Sequence, residues 1–256
     1  MNARKFADLG PPLLFGLAVL ALWEAGVRAA GVPAIILPAP SAIALRLAVS
    51  VPTLAADFAQ TMRGILAGYF IGNAAGLLVA VLIDRSRFLQ RGLLPLGNLV
   101  SALPIVGVAP IMVMWFGFDW QSKAAVVVIM TFFPMLVNAA AGLVSAGAIE
   151  RDLMKTYAAN YNQTLAKLRL PAALPFVFNA LKINTTLAMI GGIVAEFFGT
   201  PTVGMGFRIS TEVGHLSIDM VWATIVVAAV TGSAFYALVA FVEQRATFWH
   251  ASYRAR

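Results

Sequence analysis

Cysteine is absent from the 256-residue chain, and only two histidines, His215 and His250, are present. The first absence excludes disulfide frameworks, thiolate zinc sites and cysteine nucleophiles together. No Gly-x4-Gly-Lys-Ser/Thr phosphate loop occurs, so this chain does not bind nucleotide by that device. Charge is also scarce. Asp, Glu, Lys and Arg make up 11% of the chain, against roughly 25% in soluble domains. Against that scarcity stand 61% hydrophobic residues and a mean hydropathy of +0.86. So many apolar residues cannot all hide in a water-surrounded core of this size. Disorder is excluded by the same composition. The solvent for most of this surface is lipid.

An α-helix crosses the hydrocarbon core with about 20 mostly apolar residues. Six such segments are expected, at about 9–28, 64–83, 92–116, 124–146, 174–197 and 220–242, the fifth broken once by Lys182. The runs lack period-two alternation and exceed strand length, which sets a barrel aside. The fold class is therefore all-α and polytopic, one transmembrane domain over 1–256 with no domain-separating linker. One alternating set of loops holds 12 Lys and Arg, from Arg4 and Lys5 through Arg85, Arg151 and Lys167 to the tail. The other holds only 5: Arg28, Arg46, Arg63, Lys123 and Arg208. The positive-inside rule places both termini in the cytoplasm. It also accounts for the net charge of +7 without nucleic acid as a partner. His215 then belongs to an outer loop and His250 to the cytoplasmic tail, so they share no site. No catalytic residue and no metal-ligand set is expected. A cleaved signal peptide is the other reading of the first span, but Arg28-Ala29-Ala30 has a bulky cation where cleavage wants a small residue.

Glu24 and Arg28, acid first at i,i+4, form a helix-end pair. Pro38 and Pro40 forbid a helix across 37–41, and Ser41 is the expected cap of a short interfacial helix over 42–49. The second span carries Gly64, Gly68, Gly72 and Gly76, each four residues from the last. In lipid, helices associate through such small-residue stripes. Packing within the chain and a seam between two copies both satisfy this stripe. Pro95, Pro104, Pro110 and Pro134 interrupt the third and fourth spans, as plain kinks or as bends lining a cavity. Membrane-depth polar groups usually face a bundle interior or a watery path. Pro104, Asn138, Asn184 and Glu196 are the candidates for lining such a path.

The stretch from 150 to 171 is too polar to span. On a continuous helix, Leu153, Met154, Tyr157, Ala158, Tyr161, Leu165 and Leu168 fall on one stripe. A helix on the membrane surface and a docking helix for a soluble partner fit this pattern equally.

These residues resemble the cytoplasmic EAA motif of bacterial ABC importer permeases: Glu-Ala-Ala, three residues, Gly, nine residues, Ile, one residue, Leu-Pro. Here the same spacing carries Asp152-Leu153-Met154, Ala158, and Leu168-Arg169-Leu170-Pro171. Its neighbours are similar to the nitrate, sulfonate, taurine and thiamine-precursor branch: Leu170 to Pro175, Ala180 to Ile183, Val194-Ala195-Glu196, Leu37 to Ser41, Asp84 to Arg87, Pro104 and Trp115-Phe116-Gly117. The resemblance covers nearly all of the chain beyond about residue 20. It implies a type I importer permease in the bacterial inner membrane, paired with a second permease copy. It further implies two ATP-binding cassette subunits and a substrate-binding protein as partners. No cofactor is expected in this chain, ATP and magnesium being bound by the partner ATPase. The resemblance gives Asp152, Met154, Tyr157, Ala158, Tyr161 and Leu165 the role of a coupling helix. The substrate class it implies is a small polar organic nutrient: a pyrimidine or vitamin precursor, or a sulfonate of the taurine type. An ion-coupled secondary transporter or channel is the rival class; it calls for inverted repeats or several intramembrane charges, and the sequence has neither.

Overall fold

The computed structural model describes residues 3–86, 88–89, 91–93, 95, 103–199 and 202–248, and every regular element among them is helical. In chain order these are α1 (Ala3–Ala29), α2 (Pro40–Val49), α3 (Val51–Asp84), α4 (Ile105–Phe116) and α5 (Trp120–Val144). There follow α6 (Ala148–Thr156), α7 (Tyr161–Thr164), a π-helical turn (Leu165–Arg169), α8 (Leu170–Phe198), α9 (Met205–Gly214) and α10 (Ile218–Ala246). Among the described residues five segments are long and apolar enough to cross a membrane: Gly10–Ala29, Val51–Asp84, Trp120–Val144, Tyr161–Phe198 and Ile218–Ala246. The bundle end bearing α6 is termed the lower end, and the opposite one the upper.

The centre of the bundle is α5, sandwiched between α3 and α8. Its contact with α3 follows the glycine ladder. A Cβ at Gly68 would lie 2.5 Å from the Ala124 carbonyl oxygen and 2.6 Å from Val127 Cβ, and one at Gly76 would lie 2.5 Å from Phe132 O. At Gly72 it would fall on Thr131 Oγ1, and at Gly64 it would touch Lys123 Cβ at 3.0 Å. All four glycines thus face α5 of the same chain. On the other side of α5, Gly142 meets Ala173 of α8, whose Cα would be 3.0 Å from an added Cβ. Lower in the bundle, Ala80, Ile83, Met135, Leu136, Ala139 and Val177 close the three-helix core. Small residues on α3 let the backbones approach, and the larger side chains of α5 fill what remains.

The third expected segment, 92–116, is not one helix. Residues 91–93 and 95 are helical and 96–102 lie outside the described residues. Pro104 is extended (φ −68°, ψ 117°) and caps α4. The 12 residues of α4 reach only about 18 Å, short of the roughly 30 Å hydrocarbon core. Ala109 and Met112 seat α4 against Val126 and Ala195. The second segment is longer than its apolar run, because Pro52 starts α3 in its first turn. Pro40 likewise starts α2, with Ala39 as its cap. Ser41 does not cap. Its N–H and hydroxyl donate to Glu24 at 3.0 and 2.8 Å, and Glu24 also holds Arg28 at 2.6 Å. The carboxylate out-competes the helix terminus for the serine.

The outer helices touch little. Helix α1 meets the rest through these contacts and through Trp23 against Trp222, ring centroids 5.0 Å apart. Leu13, Leu14, Phe15 and Leu22 point away from the bundle. Helix α10 is tied on by ions: Lys182 Nζ of α8 lies 2.7 Å from Glu243 Oε2, and Arg46 of α2 lies 3.4 Å from Asp219. Lys182, well inside its span, therefore has a buried carboxylate as its partner, as the cost of an unpaired charge in lipid requires.

Candidate functional site

At the lower end the 150–171 stretch is not a continuous helix. Helix α6 stops at Thr156, and Ala158 adopts a left-handed φ of +49°. Asn160 then restarts the chain with a capping box: its side chain accepts from Gln163 N at 2.9 Å, and Gln163 Oε1 accepts from Asn160 N at 2.9 Å. That reciprocal cap is stable only where a helix begins. The break divides the expected stripe. Tyr157 is 75% exposed and Leu153 54% exposed; Asp152 is exposed beside Lys155 at 2.9 Å, which holds its carboxyl below the ordinary value. Met154 is half-buried. Tyr161 and Leu165 turn the other way, toward the bundle, with Leu165 packed on the lower core. No residue of α6 is buried.

Ala158 stands where the permease pattern has glycine, and its backbone explains the preference. A Cβ in left-handed conformation costs roughly 1–2 kcal/mol. Replacing Ala158 by glycine is expected to stabilise the turn by about 0.5–1 kcal/mol, net of the freedom glycine adds to the unfolded chain. Slower amide exchange at Ala159 and Asn160 reads out this gain.

The restarted segment is clamped to three spans at once. Arg169, the last residue of the π turn, donates from Nη1 to Asp84 Oδ2 at 2.6 Å and from Nη2 to Asp84 Oδ1 at 2.5 Å. Its Nε donates to Leu143 O in the last turn of α5 at 2.8 Å. Tyr161 donates its hydroxyl to Asp84 Oδ2 at 2.7 Å. Arg85 lies 4.4 Å over the Tyr161 ring and donates to Asn162 Oδ1 at 2.7 Å. A π turn holds one residue more than an α turn and so rotates the following face by about 100°; here it ends on Arg169. Helix α6 thus hangs outside the bundle on a joint fixed to α3, α5 and α8.

The upper end holds a second buried polar cluster. Glu196, 3% exposed, accepts from the Thr61 hydroxyl at 2.8 Å and from Gly206 N at 2.7 Å. Thr61 Oγ1 accepts in turn from Met205 N at 2.8 Å. Asp57 accepts from Gly204 N at 2.9 Å and pairs with Arg208 Nε at 2.8 Å. Lys123 donates to Phe118 O at 2.5 Å and to Gly199 O. These contacts anchor α9 to α3 and α8.

The four path candidates do not converge. Asn138 is half-buried, with its amide on Pro134 O at 2.8 Å and Asn179 3.4 Å away. Pro104 is exposed. Asn184 is fully buried, donating to Asn73 Oδ1 at 2.6 Å and Thr131 O at 2.8 Å, and so joins α8 to α3 and α5. The clamp pair Asp84–Arg169 and the anchor pair Asp57–Arg208 are absent from the sequence reading. Lys182 carried the one usable hint, a cation within a span demanding a carboxylate.

Five spanning segments among the described residues, around a glycine-laced core and with an exposed helix slung outside them, define a multi-pass membrane protein. Residues 64–248 match the family of binding-protein-dependent transport system inner membrane components, and the chain belongs to it. It is 31% identical over 253 residues to the riboflavin transport system permease protein RibX of Chloroflexus aurantiacus, covering 97% of this chain and 92% of that one. It is 30% identical over 247 residues to the formylaminopyrimidine transport permease protein ThiX of Halalkalibacterium halodurans, covering 96% and 98%. A putative aliphatic sulfonates transport permease protein of Bacillus subtilis is 28% identical over 244 residues, covering 94% and 88%. The protein is an ABC transporter permease of the inner membrane.

Proposed function

We propose that this permease works as one of two copies in an importer driven by two ATP-binding subunits. A substrate-binding protein delivers its cargo, a small polar organic nutrient. Relatives named for riboflavin and formylaminopyrimidine favour a ring-bearing vitamin or pyrimidine precursor over a sulfonate. The lower end is cytoplasmic on this reading, in keeping with the loop charges. The path lies between the copies, with Asn138 and Pro104 among its lining residues, and Glu196 reaches it only from the upper end.

One observation carries the coupling role: α6 has no buried residue, yet the segment behind it is clamped to three spans. A surface helix that only rested on lipid would need no such joint. An ATPase seated on α6 can displace α3, α5 and α8 together. Asp152, Met154 and Tyr157 form the docking face; Tyr161 and Leu165 belong to the joint, and Ala158 to the turn between them.

Affinity purification of the tagged chain from its own membranes in mild detergent tests this. The wild type is expected to retain an ATP-binding subunit in equal amount, and Tyr157→Asp to lose it while still inserting in the membrane. Full retention by Tyr157→Asp, or a wild-type chain recovered alone and transporting on an ion gradient, contradicts the proposal.

A further inference from the structure

The upper end contains a cavity of about 540 Å³ between the α4–α5 loop, the end of α8 and α9. That volume falls within the range of small-molecule sites. Four phenylalanines, Phe118, Phe197, Phe198 and Phe207, form its walls, with Ser210 and Thr211 on the α9 side and Glu196 at its base. Aromatic faces prefer offset or edge contacts with other flat rings.

The polar groups fit the same kind of guest. A carboxylate accepts about four hydrogen bonds. Glu196, which lines the cavity, accepts from the Thr61 hydroxyl and from Gly206 N, fewer hydrogen bonds than a carboxylate can accept. Among the described residues no hydrogen bond is formed by the hydroxyls of Ser210 and Thr211, which line the cavity. Lys123 ties Phe118 O to Gly199 O and so holds two walls at fixed spacing. An acceptor-rich base under aromatic walls suits a flat ring that carries N–H donors. It does not suit an aliphatic sulfonate, whose anionic oxygens would face the Glu196 carboxylate.

We infer that this cavity is a substrate subsite of the permease itself, selective for planar nitrogen heterocycles bearing an exocyclic amine or amide. It rests on the importer reading, because only a permease that receives released substrate has use for a selective subsite there. Phe207, Ser210 and Thr211 are then specificity-determining residues.

Saturation-transfer NMR on the full chain in lipid nanodiscs provides the test, with 4-amino-2-methylpyrimidine and taurine as probes. Saturable binding of the aminopyrimidine, and none of taurine, is expected. Phe207→Leu should weaken it about 2- to 10-fold by loss of ring contact. Thr211→Val should weaken it as well, and Phe70→Leu on the far side of the bundle should leave it unchanged. Melting temperatures equal to wild type show that the variants are folded. Absence of saturable binding, equal binding of taurine, or binding indifferent to Phe207→Leu and Thr211→Val overturns the assignment, and the cavity is then a lipid or subunit contact. The ATPase capture described above fails or succeeds independently of this result, so the two readings fall separately.

Discussion

Replacing Arg169 by alanine is expected to cost about 3–5 kcal/mol, because it strands the buried Asp84 carboxylate without its partner. Among the described residues Asp84 then keeps the Tyr161 hydroxyl alone, and the Leu143 carbonyl loses the Arg169 donor. Lysine does not restore the joint. Its single ammonium cannot span both carboxylate oxygens and a carbonyl on a third helix, which the planar guanidinium does with three nitrogens. A gentler change separates stability from coupling. Tyr161→Phe removes one hydrogen bond, worth about 1.5–3 kcal/mol for a charged acceptor, and leaves Asp84–Arg169 in place. In the assembled transporter it is expected to preserve ATPase association and lower the substrate moved per ATP hydrolysed. Detergent melting curves measure the first variant; transport and hydrolysis assayed on the same proteoliposomes measure the second.

Gly72→Ala is the second large effect, and its sign is the informative part. In a helix interior, alanine is ordinarily better than glycine by about 1 kcal/mol. At Gly16 of α1 an added methyl meets nothing within 4 Å, so Gly16→Ala should be neutral or mildly stabilising. At Gly72 the methyl falls on Thr131 Oγ1 and lies 2.9 Å from Val128 O, and backbone cannot step aside as a side-chain tip can. Overpacking of this kind costs about 1–3 kcal/mol. Displacing Thr131 also disturbs the Thr131 carbonyl that receives Asn184. Opposite shifts in melting temperature for the two variants are expected. A fall for both would mean that α1, too, is packed against something through its glycines.

Five long apolar helices were legible because scarcity of charge marks them directly, and the ladder because four glycines at one spacing have few other uses in lipid. The sequence also held a sign of the break after α6: Asn160 and Gln163 at capping-box spacing. It was hidden by an apolar stripe that ran through it, and by Ala158, which is a poor marker for a left-handed turn. Asp84 and Arg169 are 85 residues apart, and Asp57 and Arg208 151 apart, so their pairing is a property of the packed bundle. A polar residue at membrane depth suits a path or a helix contact equally, and the enclosure of Asn184 by Asn73 and Thr131 is likewise visible only in the packed bundle.

The most direct test of α6 as the contact for the ATP-binding subunit uses the absence of cysteine. Leu153→Cys and Phe15→Cys each create a single thiol, one on α6 and one on the outward face of α1. Labelled with benzophenone-maleimide in native membranes and irradiated, Leu153→Cys is predicted to yield one adduct with an ATP-binding protein, weakened when nucleotide rearranges the complex, and Phe15→Cys none. An ATPase adduct from Phe15→Cys alone, or only lipid adducts from both, would contradict the account.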